Sequence, residues 1–395
     1  MDLENGMKRI AIFLLIICLL LPLGGCGRKN REEVRVLRIG VLEPTSGKLG
    51  AEGLREMLGI QYANATTPTI QLNGKTYQVE LVLRDNESDP LVSAQAASEL
   101  VEAGCAVVLG SYGAELSAAA SDVFRAAGVS AIAADCDDPS VTAGNDHYFR
   151  IGALPEFQGG ILAAFARKTL SAKTAYCLSE IGSESDAALI RSFQETAAAQ
   201  GMKIVTAGFP TNCVDFTPYL SAAAEEGASV FFAPCEVRYA QRILEQAAEL
   251  ESAPLFLADD RWRDEAIKTA LKDTPLTVYV TAAYAEGASA EFDKGFREWL
   301  GSNSEAFASN GASDAVSVES ALGCDAYSTA LAAAKQAGSA DKADILAILP
   351  RISRTGVTGF CAFDADGGAV RKSLWIERIK GGAEDWELVG EGKIG

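Results

Sequence analysis

Histidine is almost missing from this 395-residue chain, which carries only His147. One imidazole cannot build a two-histidine zinc site, and any histidine-dependent triad would rest on it alone. It lies in Asn145-Asp146-His147-Tyr148, polar on one side and strand-like on the other, and reads as a loop or surface residue. No GxSxG elbow, P-loop, HExxH or strand-following GxGxxG occurs either. Cysteine pairs are also lacking. Apart from Cys18 and Cys26, seven cysteines are scattered singly at 105, 136, 177, 213, 235, 324 and 361, with no CxxC to suggest zinc or redox work. Cys105 and Cys177 sit in apolar runs and read as small core residues. An odd count leaves at least one thiol unpaired unless chains are cross-linked. Spacing does not decide whether any of the others pair.

Positive charge is short as well: 35 Lys and Arg face 53 Asp and Glu, for a formal net charge of −18. That balance excludes nucleic acid and adhesion to anionic lipid head groups as partners. Acidic groups such as Asp137-Asp138, Asp259-Asp260 and Glu251 could do acid–base work, although in so acidic a chain surface carboxylates explain any one of them. The composition therefore predicts no enzyme, no metal and no cofactor.

Long apolar runs are limited to Ile10–Leu23, preceded by Lys8-Arg9 and followed by small residues. A helix of this length covers about 21 Å of a roughly 30 Å hydrocarbon layer, so the run reads as an export signal. Leu23-Gly24-Gly25-Cys26 resembles a bacterial lipobox, which predicts cleavage after residue 25 and lipidation of Cys26. The alternative is an ordinary secretory signal with an incidental cysteine. Met7 is a second candidate start. Residues 26–35 are polar and charged and read as a tether. The chain beyond the signal is long enough for two domains with real cores.

From Val36 onward, β-branched runs alternate with Ala-rich stretches of helical period, the pattern of an α/β fold with parallel sheets flanked by helices. Strands are predicted at Leu37–Leu42, Val79–Arg84, Ala106–Leu109, Ser130–Ala133, Thr174–Leu178, Lys203–Gly208, Val230–Ala233, Leu255–Ala258 and Val278–Ala282. That number suits two sheets. A terminal hairpin is predicted between Phe360–Asp364 and Leu374–Ile379, turning at Asp366-Gly367-Gly368. In doubly wound sheets ligands bind off the carboxyl ends of strands. Pro44–Gly53, Ser111–Glu115, Asp135–Asp138, Ser179–Ser183, Cys235-Glu236 and Asp259–Trp262 follow such ends.

At these points the chain resembles the branched-chain amino-acid-binding family of ABC-transporter solute receptors, with the type I periplasmic binding protein fold. Ile39-Gly40-Val41-Leu42-Glu43-Pro44-Thr45-Ser46-Gly47 is similar to the family's first strand and ligand loop, with Gly53 and Gly59 at its first helix. Asp85–Pro90, Val107–Ser111, Tyr148-Phe149-Arg150, Gln158-Gly159 and Cys324-Asp325-Ala326-Tyr327 match later segments in order. The resemblance implies two doubly wound lobes joined by three crossovers, one of 36–153 and 284–356, the other of 154–283 and 357–395. It implies a small-molecule solute and membrane permease subunits as partners, on the extracytoplasmic face, with the membrane reached only through the lipid anchor. A ligand-sensing module of the same fold, without transport, is the alternative.

For the site, the resemblance implies that the ligand carboxylate meets a hydroxyl and backbone amides after the third predicted strand, where Ala114 and Glu115 fall, and another hydroxyl where Asp137 falls. The family's ammonium-binding acid aligns with Asp260, an aromatic with Glu52 and a second-lobe tyrosine with Ser183. Trp262 is expected as an aromatic face, and Cys235 at the cleft edge as either a ligand contact or simple packing. Ala114 removes one hydroxyl donor, and Asp137 sets a carboxylate where the ligand's own would be received, which disfavours a plain α-amino acid. Glu52, Asp137 and Asp260 would then favour a small amino-acid-like solute that is cationic or donor-rich, unless a slip of one or two residues moves them out of the cleft. A family disulfide is not implied, since Ser88 and Gly113 occupy its positions.

Overall fold

The computed structural model describes residues 34–136 and 138–394. The export signal, Cys26, nearly all of the tether and Asp137 therefore lie outside the described residues. The first sheet contains β1 (Arg35–Glu43), β2 (Thr69–Leu72), β3 (Lys75–Asp85), β4 (Val107–Leu109), β5 (Ser130–Ala133) and β6 (Tyr148–Arg150), in the order β2-β3-β1-β4-β5-β6. Its centre is parallel, with Ile39 opposite Val107 and Leu109 opposite Ile132. All three residues of β4 and all four of β5 are buried, as a strand covered on both faces must be. The connecting helices are α1 (Gly50–Thr66), α2 (Pro90–Glu102) and α3 (Ala114–Ala127).

The second sheet takes β7 (Thr174–Glu180), β8 (Lys203–Phe209), β9 (Val230–Phe232), β10 (Leu255–Ala258) and β11 (Thr277–Ala282), all joined in parallel, between α4 (Pro155–Lys168), α5 (Glu184–Ala199), α6 (Thr217–Glu225), α7 (Val237–Ala247) and α8 (Glu265–Leu271). The chain returns to the first core through α9 (Ala290–Ser302), α10 (Ser304–Ser309), α11 (Val318–Ala337) and α12 (Lys342–Ile348). There a small sheet of β12 (Ser353–Gly356), β13 (Gly359–Phe363) and β14 (Ala369–Val370) forms. Finally β15 (Leu374–Lys380) and β16 (Glu387–Gly392) complete the second sheet.

The expected terminal hairpin is not what forms. β13 pairs with β12 and β14, whereas β15 runs antiparallel to β11, with Val278 opposite Ile379. Alternation alone could not say which strand each apolar face would meet. Cys361 and Ala369 pack in the first core and Leu374 in the second, so the chain passes between the cores near 371–373 rather than at the 356/357 division read from the sequence. Buried Arg371 secures this passage: its guanidinium donates to the carbonyl of Ile151, on an earlier crossover, and to that of Thr358. Asp325 of α11 does related work, accepting from the amides of Val357 and Thr358 and from Arg354.

Helices α1 and α11 touch backbone to backbone because two glycines allow it. A methyl at Gly59 would lie 1.9 Å from the Ser320 carbonyl oxygen, and one at Gly323 would lie 2.2 Å from that of Glu56. We expect Gly59→Ala to lower stability by roughly 1–3 kcal/mol through overpacking, despite alanine's helix advantage of about 1 kcal/mol. Gly301→Ala in α9, with nothing within 4 Å, should be neutral or stabilising. Urea denaturation of both variants checks the contrast.

Candidate ligand-binding cleft

The carboxyl ends of both parallel sheets open on one cavity of about 430 Å³. Glu52 and Arg55 reach it from the start of α1, Tyr112, Gly113 and Ala114 from the turn after β4, and Asp135 and Cys136 from the turn after β5. Val318 and Glu319 come from the start of α11. Asp260, Arg261 and Arg263 come from the turn after β10, and Gly152, Ala153 and Ala283 from the crossovers. A volume of this size suits a small solute rather than a polymer.

The charges are heavily cross-linked. Arg55 donates to Glu319 at 2.9 Å and lies 3.7 Å from Glu52. Burial alone would raise the Glu319 carboxyl, but Arg55 outweighs it and holds the group below its ordinary value. Arg261 bridges two buried carboxylates, Asp259 at 2.7 Å and Asp186 at 3.0 Å. For Arg261 the two acids overcome the opposing effect of burial and raise the guanidinium; for Asp186 burial wins over the arginine and raises the acid. Both shifts follow from one geometry, since Arg261 meets two carboxylates while Asp186 meets a single cation. Arg263 pairs with Glu377 of β15 at 2.7 Å. Asp260 is contacted by the Gln158 side-chain amide at 3.4 Å, and Gln158 in turn accepts from Thr281 at 2.6 Å.

Two further groups could meet a polar ligand. Burial raises the Tyr112 phenol strongly, so it remains a neutral donor. Gly113, at φ 85°, begins α3 and has no side chain to cap it, which leaves the positive end of the helix dipole beside Ala114 and the cavity. The main chain of this wall is anchored from behind: the Tyr112 N–H donates to Glu43 at 2.8 Å and the Asp135 N–H to Glu56 at 3.2 Å.

Of the residues expected from the sequence, Glu52, Ala114 and Asp260 line this cavity. Glu115 is exposed on the first turn of α3 and is not among the lining residues. Ser183 caps α5, its hydroxyl accepting the Asp186 N–H at 3.3 Å. Trp262 presents no aromatic face to the ligand. It is fully buried in the second core, and its indole N–H donates to the carbonyl of Cys235, itself fully buried. Asp137 lies outside the described residues. Arg55, Arg263 and Glu319 were missed, whereas Tyr112, Asp135 and Arg261 fall in the expected strand-end segments without having been singled out. The turn after β10 carried a signal, since Arg261 and Arg263 alternate around apolar Trp262. Glu319 carried none, because it meets Arg55 across more than 260 residues of sequence.

All seven described cysteines are free thiols, and among the described residues no group of side chains could hold a metal ion. No described helix is long and apolar enough to cross a membrane.

We expect Arg261→Met to cost about 3–5 kcal/mol, because it leaves Asp186 and Asp259 buried without their cation. Protonating those acids should relieve part of the loss, so the deficit against wild type should shrink as pH falls. Urea titrations at neutral and mildly acidic pH read both effects.

A periplasmic binding protein family profile matches residues 36–384. No curated protein matches the sequence significantly. Among solved structures, a leucine-binding protein from Thermotoga maritima is 24% identical, with 91% of this chain and 99% of that one covered and a TM-score of 0.67. A branched-chain amino-acid transporter substrate-binding protein from Streptococcus pneumoniae, in complex with isoleucine, is 23% identical, with coverage of 90% and 99% and a TM-score of 0.66. A solute-binding protein of an ABC transporter from R. palustris, in complex with benzoate, is 16% identical, with coverage of 91% and 96% and a TM-score of 0.64. At such identities the likeness speaks to the fold, which all three share. The family match over nearly the whole body goes further: this chain belongs to the periplasmic binding protein family, extracytoplasmic solute receptors of ABC transporters that bind small molecules rather than transform them.

Proposed function

We propose that this receptor is lipid-anchored through Cys26 and captures a small, cationic, amino-acid-like solute between its lobes for delivery to a membrane permease. The observation that carries the cationic reading is the charge of the lining. Glu52, Asp135, Asp260 and Glu319 supply four acids to the lining against three cations, Arg55, Arg261 and Arg263, and of these cations Arg261 and Arg263 are tied to carboxylates outside the lining, Asp186, Asp259 and Glu377. A solute bringing an ammonium or amidinium group would suit that excess of acids in the lining. Its polar or anionic end would face the Tyr112 hydroxyl and the start of α3, where a weak positive field is on offer. We assign the second-lobe contact to Asp260, which Gln158 orients, and the first-lobe contacts to Glu52 and Asp135. The anchor rests on the lipobox-like Leu23-Gly24-Gly25-Cys26. The lobe division carried forward is 36–153 with 284–370, and 154–283 with 374–395, following the two cores.

A thermal-shift screen of residues 27–395 against neutral, acidic and basic amino acids, polyamines and quaternary amines tests the ligand, since binding to the folded state alone raises Tm. Basic solutes should stabilise, and Asp260→Asn should remove the shift by weakening binding at least tenfold, about 1.4 kcal/mol. Stabilisation by leucine or valine and by no cationic solute would overturn the reading. For the anchor, wild type expressed in a bacterium with labelled fatty acid should carry label in the membrane fraction, and Cys26→Ser should lose it. Label retained by the variant would contradict lipidation.

A further inference from the structure

Glu43, the last residue of β1, and Glu56, inside α1, are almost wholly removed from solvent, at 1% and 0% exposure. Each spends one carboxyl oxygen on a backbone amide of the cleft wall, Glu43 on Tyr112 and Glu56 on Asp135. The other oxygens, Oε1 of both, are buried with no donor from the described residues, while the two side chains lie within hydrogen-bonding reach of each other. Two acceptor oxygens cannot bond without a hydrogen between them. Space for the arrangement is reserved by Gly110, where a methyl would come within 2.3 Å of Glu43 Oε1.

From this geometry we infer that Glu43 and Glu56 share one proton and act as a latch that clamps the turns after β4 and β5 together, so that the first-lobe wall of the cleft keeps its shape only while that proton is held. With the proton present, the pair carries a single negative charge spread over two groups and stabilised by two amide donors. Without it, two carboxylates face each other in a site closed to water, and relief comes only by moving apart, which drags Tyr112 and Asp135 with them.

The ionisable groups facing the pair would not help it lose the proton. Asp135, from the turn after β5, and Glu319, from α11, are acids, and Tyr112 and Tyr148 are neutral phenols. Arg55 is the neighbour of Glu56 in α1, but its guanidinium is committed to Glu319 and Glu52. Burial is the main cause that raises both carboxyls. Glu43 is pushed up to about 8, and Glu56 is pushed up as well, with the facing Glu43 adding to the effect. Because the folded state holds a proton that the unfolded chain releases near its ordinary value of 4.5, the pair favours folding most at low pH. Its contribution falls as pH rises from that value through the raised folded values of the two groups. Glu43 and Glu56 are positioning residues: they touch the loops, not the solute.

Glu43→Gln/Glu56→Gln supplies the shared hydrogen from an amide and cannot titrate. In wild type, the infrared band of a protonated carboxylic acid should persist at neutral pH and be lost through a single midpoint in the alkaline range. The amide ¹⁵N shifts of Tyr112 and Asp135 should titrate with that same midpoint. Both signals should be absent from the double variant, whose Tm should gain several degrees on wild type as pH rises from about 6 to about 10. Should the variant not fold, the wild-type signals still decide. No acid band at neutral pH, or Tyr112 and Asp135 shifts that do not move together, would overturn the latch. These readouts need no ligand, so they stand apart from the identity of the solute.

Discussion

A carboxylate taken out of water must find a cation, an amide donor or a proton, and the cleft of this receptor is organised around four answers to that constraint. Glu319 finds Arg55, Asp186 and Asp259 share Arg261, Glu377 finds Arg263, and Glu43 and Glu56 find each other. Coulomb attraction in a partly buried site is strong enough to decide which side chains face the cavity and which are tied behind it. Losing one partner costs far more than the pair contributes when whole, because the remaining charge cannot follow its partner into water. Such a network fixes the walls of the cleft before a solute arrives. Little reorganisation is then left for binding to drive.

The fold gives these charges their positions. Parallel strands end at the same side of each sheet, so the turns after β1, β4, β5 and β10 all deliver residues to one opening. The backbone contact of α1 with α11 at Gly59 and Gly323 brings Arg55 and Glu319 within bonding distance, although they are far apart in the chain. Arg371 ties two crossover segments through the carbonyls of Ile151 and Thr358, so the region about which lobes would turn is hydrogen-bonded rather than slack. A hinge of that kind allows rotation as a unit while keeping each wall intact.

Much of the scaffold was legible because its signals are local. Fully apolar runs such as Val107–Leu109 and Ser130–Ala133 became strands buried on both faces, and Ala-rich stretches between them became the covering helices. The short hairpin of β2 and β3, turning at Asn73-Gly74, was readable in principle from that pair, since both residues adopt positive φ. Edge pairings were not: nothing in Leu374–Ile379 says that it will lie against β11. The same limit governs the site. The strand-end segments were legible and the family resemblance picked Glu52, Ala114 and Asp260 out of them, whereas Trp262 failed because three residues of 3₁₀ turn aim it at the core. Arg55–Glu319, Arg261–Asp186 and Arg263–Glu377 join distant segments, and Glu43 and Glu56, although on consecutive elements, meet only because strand and helix pack together.

Native mass spectrometry of the protein purified without refolding, before and after substitution of Asp260, tests the central claim most directly. The account predicts a small ammonium- or amidinium-bearing solute bound to wild type at one per chain and lost from Asp260→Asn. A bound solute without a cationic group, or one retained equally by the variant, would contradict it.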